Sequence, residues 1–540
     1  MNDTTGMVSA AKAFAHNIFV QFAIFLSIFF FRRPDQFLKP GMWDEDGEQI
    51  IVNLENSGIL GLFEPVNGYL ILSSTIVNYV SSRLSFELYP YLSAGITMLV
   101  TFVLIKRLER MLDRPFGFYL FLTVFLLYPT DPEVLGVGLY TFWIFNLFAA
   151  CTFYVLIARP GTRLTATDVV LLMIAMVSGP FGPVCFAVWA LIQVPRFDRR
   201  MWGIAVLLAL FCAIQASVFL SVEQEDSAGN LSYVLTNPLL ILETFFGNAG
   251  LIILPLLCVA GLINVGWRAC VFVIILIAFS MFVAAYRLGD IGLIHRFGDG
   301  PRYFFVPFTL MILWGLSIFW LRAPQRIGAI TGWPAAGLIC LLILSSLPDM
   351  RRFHEYVDWR AEVDDCRFAV VEDHVLVLYD GTLTTPWVSE LSNQQCQRLV
   401  TASLIPLPPR PNCLPTNPRE DRFYDLCEPD VTPKRAKGAE LTTRVLFESA
   451  DGGVSSISAQ GQEARVEFDL GASAIIAYRT GPDPKGQFAE FQTGDGPVTR
   501  VPLAASDTWR YLSPPTGFTT MRFIDVGTGA DQWTAVFATP

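Results

Sequence analysis

Long apolar stretches recur over residues 1–350 and are separated by short polar segments. Stretches that cross a lipid bilayer, or nearly cross it, predict transmembrane helices. The candidate spans are 14–31, 86–105, 115–128, 139–157, 167–178, 184–194, 201–221, 249–265, 268–288, 304–321 and 326–346. The pattern therefore predicts a polytopic α-helical membrane protein with about eleven transmembrane helices.

Two of these runs, 167–178 and 184–194, are short, and only Gly179 to Pro183 separate them. They form either a tight helical hairpin or a single broken helix. The distinction matters because a single helix would invert the orientation of every later span. The distribution of positive charge decides between them.

Positive charge concentrates in alternate loops, as expected for loops that face the cytoplasm. With a cytoplasmic N-terminus and a hairpin, the opposing loops 129–138 and 222–248 contain no Lys or Arg, although Arg32, Arg33 and Lys39 run against the rule. We therefore predict eleven spans with the C-terminal region outside the cytoplasm. The inner loops then contain Lys106, Arg107, Arg110, Arg114, Arg159, Arg163, Arg196, Arg199, Arg200, Arg268, Arg322 and Arg326.

The first external loop then covers 32–85. Its second half, from Phe63 through the apolar stretch that ends at Val80, predicts an interfacial helix or a poorly inserted span. If this stretch spanned the membrane, the sidedness of everything after it would reverse.

Composition agrees with a membrane protein. Hydrophobic residues make up 53% of the 540 residues and charged residues 16%, with a mean hydropathy of +0.47, which excludes an ordinary soluble protein. The first apolar run has no small-residue cleavage site and predicts a retained span. The net charge of -10, without a clustered basic face, excludes a nucleic-acid partner.

The chain becomes polar and Pro-rich from about 352, which predicts a membrane domain at 1–350 and a separate segment at 351–438. That segment contains four cysteines in a loop-rich context, which predicts two disulfides in an oxidising compartment. Three pairings are possible, and zinc is the weaker alternative because the spacings are wide and lack a CxxC pair. The four cysteines are Cys366, Cys396, Cys413 and Cys427.

The last hundred residues, 439–540, have the pattern of β-strands. Apolar and charged residues alternate over Arg465–Leu470 and Thr520–Val526, and β-branched residues continue over Ser473–Thr480. Short strands between Gly, Pro and Asp turns predict a C-terminal, extracytoplasmic, mainly-β domain of the sandwich or jelly-roll kind.

Carboxylates cluster just after the first span. We call Asp44–Glu48 the acidic segment; Asp44, Glu45 and Asp46 are consecutive and follow Trp43. Carboxylate oxygen serves either as a general base for a hydroxyl nucleophile or as a ligand for a hard cation such as Mg²⁺, Mn²⁺ or Ca²⁺, for which Asp44 and Asp46 are the candidates. The alternative is a solvated loop beside a helix N-terminus.

A second polar island, 287–303, lies between two apolar runs on the predicted outer side. Its candidate phosphate-binding residues are His295, Arg296 and Arg302, because a guanidinium keeps its charge and donates paired hydrogen bonds to phosphate oxygens. A lipid-linked phosphate would suit this position at the membrane surface. The alternative is contact with lipid headgroups or with the acidic segment.

Four further residues are candidates for the lining of a cavity. Asp131 lies in a Pro-rich outer segment, where a plain turn is the alternative. Glu64 and Asn67 share the first external loop with the acidic segment, and Asp299 lies in the polar island.

The acidic segment, the basic loop before a late span and the outer C-terminal domain together resemble the GT-C superfamily of integral-membrane glycosyltransferases. The resemblance is carried by Trp43, Glu45, Asp46 and Gly47, with Phe63–Tyr69 downstream, and it covers about residues 10–346. It implies a multi-pass protein of the bacterial inner membrane with a periplasmic C-terminal domain.

The resemblance also implies an inverting transfer of a sugar from a polyprenyl-phosphate or pyrophosphate donor to an acceptor glycan or glycolipid. In that reaction Asp46, Glu45 or Asp44 would deprotonate the acceptor hydroxyl. Arg302, Arg296 and His295 would stabilise the departing lipid phosphate. No cofactor is certain, and a divalent cation is needed in only some members of the class.

Two other functions remain open. A transporter or flippase of a lipid-linked or anionic substrate would place polar sites near the bilayer midplane and often has internal repeats. The apolar runs show no such repeat, and the charges lie at helix ends. The other alternative is a non-catalytic envelope assembly protein.

Overall fold

The computed structural model describes residues 17–43, 45–113, 117–221, 228–288, 291–298, 300–320, 326–352, 359–360, 363, 376–379, 387–389, 391, 393–405, 454–457, 464–469, 475–480, 485–494, 496–503, 510–512, 519–526 and 534–539. The chain divides into two compact units. The first, which we call the helical unit, is Met1–Leu38, Ile59–Asn78 and Ser93–His354. The second is Lys39–Gly58, Tyr79–Leu92 and Glu355–Pro540.

Each predicted apolar run overlaps a helix. The helices of the described residues are α1 (Ile18–Arg32), α2 (Asp35–Leu38), α3 (Ile51–Ser57), α4 (Leu72–Leu84), α5 (Tyr89–Leu112), α6 (Gly117–Leu126), α7 (Thr141–Ala158), α8 (Ala166–Met176), α9 (Phe181–Gln193), α10 (Arg199–Ser221), α11 (Ala228–Thr236), α12 (Pro238–Asn264), α13 (Trp267–Leu288), α14 (Arg302–Trp320), α15 (Arg326–Ser346) and α16 (Asn393–Thr401). The described chain is thus mostly helical.

Four of these helices, α5, α7, α10 and α13, are long and apolar enough to cross a membrane. Several other apolar helices are shorter; α8, with 11 residues, rises only about 17 Å at 1.5 Å per residue, against a hydrocarbon core of about 30 Å. The protein therefore has several membrane-compatible helices, and the number of eleven spans stays a prediction.

The two short runs form separate helices, α8 and α9, joined by a tight turn. Gly179 in the turn has a φ of +91°, a conformation that glycine adopts without strain. At Gly182 the chains approach closely, because a Cβ there would lie 2.3 Å from the carbonyl oxygen of Ala175. Glycine at both positions allows the chain to turn between the helices.

Backbone hydrogen bonds join several loops at one end of the helical unit. The sequence predicts that all of these loops lie on the outer side of the membrane. Loops predicted to lie on the same side therefore meet at the same end of the helical unit. The bonds run from Leu72 N to Val177 O (3.2 Å), from Asp131 N to Arg296 O (2.8 Å) and from Arg352 N to Arg32 O (2.9 Å).

Side-chain contacts join the predicted inner loops at the opposite end of the unit. The loops predicted as outer thus meet at one end of the unit, and the loops predicted as inner meet at the other. Which end faces the cytoplasm stays a prediction. The contacts run from Lys106 Nζ to Gln21 Oε1 (2.6 Å), from Arg107 Nε to Asp168 Oδ1 (2.8 Å) and from Arg200 Nη2 to Leu164 O (2.6 Å).

The stretch predicted as an interfacial or poorly inserted helix forms α4, which has 13 residues. Its buried side chains include the polar Ser74 and Asn78. Ser74 donates to the carbonyl of Leu139, and Asn78 Nδ2 donates to Ser74 O at 2.9 Å. Its polar groups are therefore satisfied by the protein.

The C-terminal region is mainly β, as predicted. A hairpin of β1 (Leu376–Tyr379) and β2 (Trp387–Ser389) precedes two antiparallel four-stranded sheets with the orders β3-β10-β5-β8 and β4-β9-β6-β7. Two sheets with eight strands are the architecture of a jelly roll. Their strands are β3 (Val454–Ile457), β4 (Ala464–Asp469), β5 (Ile475–Thr480), β6 (Gln487–Gln492), β7 (Thr499–Pro502), β8 (Arg510–Leu512), β9 (Thr520–Asp525) and β10 (Thr534–Thr539).

The two sheets approach each other through aromatic side chains. The ring centroids of Tyr478 on β5 and Phe523 on β9 are 6.3 Å apart, and both residues are buried. The alternation that predicted these strands thus corresponds to an inner, packed face. The boundary at 439 lies outside the described residues.

Of the four cysteines predicted to form disulfides, the structure describes one. Cys396 is buried in α16, whereas Cys366, Cys413 and Cys427 lie outside the described residues. Disulfide pairing therefore stays a prediction. The free thiols among the described residues are those of the apolar helices, namely Cys151, Cys185, Cys212, Cys258, Cys270 and Cys340.

Candidate functional site

The acidic segment belongs to the second unit, where it forms a π-helical turn, Asp46–Ile50, that leads into α3. Short π-helical segments occur frequently at functional sites. Asp46 is 2% exposed, whereas Glu45 is partly buried and Glu48 is exposed; Asp44 lies outside the described residues. The turn thus places the Asp46 carboxylate inside the protein and Glu48 in solvent.

An ion pair holds the helix that follows the acidic segment. Glu55 on α3 accepts a hydrogen bond from Arg83 at 2.9 Å, and Asn56 accepts another from Gln395 on α16 at 2.6 Å. Burial raises the pKa of the Glu55 carboxyl, and the positive charge of Arg83 opposes that shift. α3 is therefore attached to both α4 and α16.

In the helical unit, Arg32 and Arg33 are both fully buried. Their burial explains why these two arginines depart from the positive-inside rule. Arg33 forms an ion pair with Asp35 at 2.7 Å and donates to the carbonyl of Leu135 at 2.8 Å. Arg32 donates to backbone carbonyls, including that of Thr130 at 2.7 Å. Both side chains serve to hold the loop after α6.

The same loop supplies a carboxylate to the start of α14. Glu133 accepts from the Arg302 backbone N–H through Oε2 and from the Arg302 guanidinium through Oε1, both at 3.1 Å. Tyr140 contacts both groups, because its hydroxyl donates to Glu133 at 3.0 Å and accepts from Arg302. Since helix N-termini attract anions, a carboxylate is favourable at this position.

The guanidinium of Arg302 also lies near aromatic rings, 5.8 Å from the centroid of Tyr140 and 5.7 Å from that of Tyr303. Its side chain is 32% exposed, whereas that of Glu133 is 5% exposed. Arg302 is thus fixed from one side by Glu133 and Tyr140 and remains partly accessible.

The other predicted residues of this end have different surroundings. Arg296 is partly buried, its guanidinium lies 4.9 Å from the ring centroid of Phe297, and burial lowers its pKa while the charge of Asp349 opposes the shift. His295 is exposed. Asp299 lies outside the described residues.

Asp131 forms an ion pair with Arg352 at 2.9 Å. Burial lowers the pKa of Arg352, but the carboxylates of Asp131 and Glu133 together outweigh that effect, so the pKa lies above its ordinary value. Asp131 therefore fastens the end of the helical unit, and the Pro-rich segment that follows it also forms a turn, in which Leu135 N donates to Pro132 O at 2.9 Å.

Asn67 is exposed and lies at the tip of a tight turn between Val66 and Tyr69, while Glu64 is partly buried nearby in the sequence. Asn67 and Gly68 have φ values of +52° and +86°, as the paired Asn-Gly of a type I′ turn requires. The turn places Tyr69 next to Phe142, with ring centroids 6.1 Å apart.

The Tyr69 phenol lies within the electrostatic reach of Arg287, Tyr303 and Arg302. Burial raises the pKa of the phenol, and Arg287 acts in the opposite direction. The phenol is thus protonated at neutral pH.

The structure brings together part of the predicted site. Arg302, Arg296 and Asp131 share one end of the helical unit, whereas the acidic segment belongs to the second unit. Sequence reasoning did not include the tyrosines around Arg302, because tyrosines at predicted helix ends are common in interfacial belts. The signal that could have indicated Tyr69 is the Asn67-Gly68 pair that precedes it.

Among the described residues, no group of three or more His, Cys, Asp or Glu side chains is arranged to hold a metal ion. The divalent cation stays a prediction, since Asp44 is not among those residues. No protein-family model matches the chain, and a search of curated proteins finds no match.

Proposed function

We propose that the protein is an integral-membrane glycosyltransferase of the GT-C kind. It transfers a sugar from a polyprenyl-phosphate-linked donor to an acceptor glycan or lipid, at the periplasmic face of a bacterial inner membrane. In this arrangement eleven helices span the membrane and the jelly-roll region is periplasmic.

The observation that carries the proposal is a group of partly or fully exposed arginines at the predicted outer end of the helical unit, which we call the outer basic cluster: Arg287, Arg296 and Arg302. Arg287 ends an apolar helix of 22 residues, and Arg302 begins the next long one. Guanidinium groups at the ends of such helices lie at the depth of lipid headgroups. This position suits a phosphate whose hydrocarbon tail lies in the bilayer.

The reaction also needs a general base. Of the described carboxylates in the acidic segment, Asp46 is the most buried, and burial in a fixed turn restricts the directions from which it can accept a proton. Asp46 would take the proton of the acceptor hydroxyl as its oxygen bonds to the anomeric carbon. The bond from that carbon to the phosphate oxygen breaks, and its electron pair leaves with the lipid phosphate. A single displacement of this kind inverts the anomeric configuration.

The test compares Asp46→Asn with Glu48→Gln in purified full-length protein supplied with a panel of polyprenyl-phosphate sugars. A general base typically contributes about 10²–10⁴-fold in rate, so we expect a loss of that order for Asp46→Asn. Glu48→Gln removes a neighbouring but exposed charge and should leave the rate within about twofold of wild type. Equal rates for Asp46→Asn and wild type would exclude Asp46 as the base.

One observation favours the transporter as a second candidate. Helix α12 is interrupted at Gly247, whose φ and ψ are 63° and -179°, and interrupted helices carry the substrate sites of many transporters. In that case the protein would move a lipid-linked sugar across the bilayer without releasing the lipid phosphate. Measuring both products in one vesicle preparation separates the two functions.

A further inference from the structure

Five arginines, which we call the inner basic patch, lie on two loops at the end of the helical unit where the predicted inner loops meet. One loop joins α7 to α8, and the other joins α9 to α10 and continues into the first turn of α10. Over 159–165 and 194–200 the sequence contains a single acidic residue, Asp198, so the two loops carry a strong excess of positive charge. The five are Arg159, Arg163, Arg196, Arg199 and Arg200.

A hydrogen bond holds the two loops together. Arg200 Nη2 donates to the carbonyl oxygen of Leu164 at 2.6 Å, and the Leu164 side chain is buried. Asp198 caps the start of α10, because its carboxylate accepts from Met201 N at 2.7 Å. The arginines of both loops are therefore brought together at the start of α10.

Most of the patch is accessible from outside the protein. Arg163, Arg196, Arg199 and Arg200 are exposed, and Arg159 is partly buried. A guanidinium stays charged and donates hydrogen bonds in a planar fork that matches phosphate oxygens. The positive end of the α10 dipole lies at the same place and adds to the attraction for an anion. The patch is thus suited to a phosphate group.

An apolar stripe on α10 begins beside the patch. Trp202, Val206, Leu210 and Ile214 are all exposed and recur at intervals of four residues, so they lie along one face of the helix. Of the four membrane-length apolar helices among the described residues, α10 is the least buried. In its most apolar stretch 17% of the residues are buried, against 50% or more in the other three. This face therefore contacts the hydrocarbon of the bilayer when the helix spans it.

Aromatic contacts hold Trp202 between the arginines and the rest of the stripe. Its ring centroid lies 5.5 Å from that of Phe197, in an edge-to-face arrangement, and the Phe197 ring lies 4.9 Å from that of Trp189. Trp189 is buried, so these contacts anchor the Trp202 ring to the helical unit. Tryptophan is favoured at the boundary between headgroups and acyl chains. The order along this surface is thus charge, aromatic ring and hydrocarbon contact, which matches the order of groups in a phospholipid.

We propose that the inner basic patch binds the phosphate group of an anionic phospholipid whose acyl chains lie along the apolar stripe of α10. The surface fits a lipid better than free phosphate, because its charged and apolar parts are adjacent. It favours an anionic headgroup over a zwitterionic one, since a zwitterionic headgroup would also bring a cation to the arginines. This inference goes beyond the proposed function and holds for a transferase and for a transporter alike.

The experiment uses full-length protein in nanodiscs of phosphatidylcholine. A rising fraction of the lipid is replaced by phosphatidylglycerol with brominated acyl chains, which quench tryptophan fluorescence at short range. For wild type we expect quenching that saturates at a low fraction of phosphatidylglycerol, whereas brominated phosphatidylcholine should give only a gradual increase. An arginine near an anionic membrane surface is worth about fivefold in affinity. The double variant Arg196→Gln/Arg199→Gln should therefore shift the midpoint about tenfold or more to higher phosphatidylglycerol.

Two further variants locate the bound lipid. Trp202→Phe removes the tryptophan beside the proposed acyl chains and should reduce the amplitude of the saturating phase. The matched control is Arg110→Gln, which removes an exposed arginine from the last turn of α5, at the same end of the helical unit. Its midpoint should stay within about twofold of wild type.

Equal midpoints for wild type and the folded double variant would overturn the inference. An effect of Arg110→Gln as large as that of each arginine in the double variant would overturn it too, by indicating a diffuse attraction to the whole inner end. Saturation with brominated phosphatidylcholine, or an undiminished amplitude in Trp202→Phe, would contradict the lipid site. Displacement of the lipid by an equal concentration of glycerol phosphate would assign the patch to soluble phosphates instead.

Discussion

Glu133 holds Arg302 by two atoms at once, with one carboxylate oxygen 3.1 Å from the backbone nitrogen and the other 3.1 Å from the guanidinium. The carboxylate therefore fixes both the start of α14 and the direction of the arginine side chain. The side chain of Glu133 is nearly buried. Its replacement would remove the carboxylate that pairs with the Arg302 guanidinium.

Replacing Glu133 should destabilise the protein in a graded way. Glu133→Gln keeps an acceptor oxygen but loses the charge, and we expect a loss of about 1–3 kcal/mol, with a greater loss for Glu133→Ala. Thermal unfolding in detergent, followed by tryptophan fluorescence, measures the order of the variants. Glu48→Gln, at an exposed position, is the control and should change Tm very little. Equal Tm values for all variants would contradict the bidentate role.

The buried pair of Arg33 and Asp35 gives a sharper test, because both side chains are 0% exposed. Removing one partner of a buried pair costs about 3–5 kcal/mol, since the other charge is left uncompensated. We expect Arg33→Met and Asp35→Leu each to destabilise the protein by that amount. The double variant should be less destabilised than the sum of the single variants, and strict additivity would contradict the pair.

Glu55 should make stability depend on pH. Burial raises the pKa of its carboxyl in the folded state above the unfolded value of about 4.3, despite the opposing charge of Arg83. The folded state then holds the proton more firmly, so the contribution of Glu55 is greatest below the unfolded pKa and is lost as pH rises through the folded pKa. Tm of Glu55→Gln, measured between pH 4 and pH 7, should therefore rise relative to wild type as pH increases. A constant difference would contradict the shift.

Alanine substitutions at two helical glycines should have opposite effects on the stability of the protein. Gly182→Ala would place a Cβ 2.3 Å from the carbonyl oxygen of Ala175, and overpacking of this kind costs about 1–3 kcal/mol. Gly95→Ala, in α5, has nothing within 4 Å of the new Cβ and should stabilise the helix by about 0.5–1 kcal/mol. A comparison of the two Tm values measures the difference. An unchanged Tm for Gly182→Ala would show that the chain is not tightly packed at the start of α9.

Much of the helical architecture could be predicted because apolar runs of 11–21 residues have few alternatives to helices. The strands Ala464–Asp469 and Thr520–Asp525 could be predicted because apolar and charged residues alternate along each of them. The partners of the arginines could not be predicted. Glu133 and Arg302 are far apart in sequence, and their contact depends on how α7 and α14 pack, which local patterns do not encode.

Only part of the candidate site could be predicted from the sequence. Arg302, Arg296 and Asp131 share one end of the helical unit, as the assignment of loops to one side implies. Asp131 proved to be an ion-pair partner of Arg352, because a carboxylate in a Pro-rich segment can be either exposed or paired and the sequence does not distinguish them. The contact of Tyr69 with Phe142 depends on a turn whose direction is set only in three dimensions.

The proposed sugar transfer is tested most directly with wild-type protein in proteoliposomes that contain labelled polyprenyl-phosphate sugars and candidate acceptors. Free polyprenyl phosphate, glycosylated acceptor and the movement of labelled lipid across the bilayer are measured together. We expect release of polyprenyl phosphate in step with formation of a glycosylated product of inverted anomeric configuration. Translocation of intact labelled lipid by folded protein, without any release of polyprenyl phosphate, would contradict the proposed glycosyltransferase and establish a transporter.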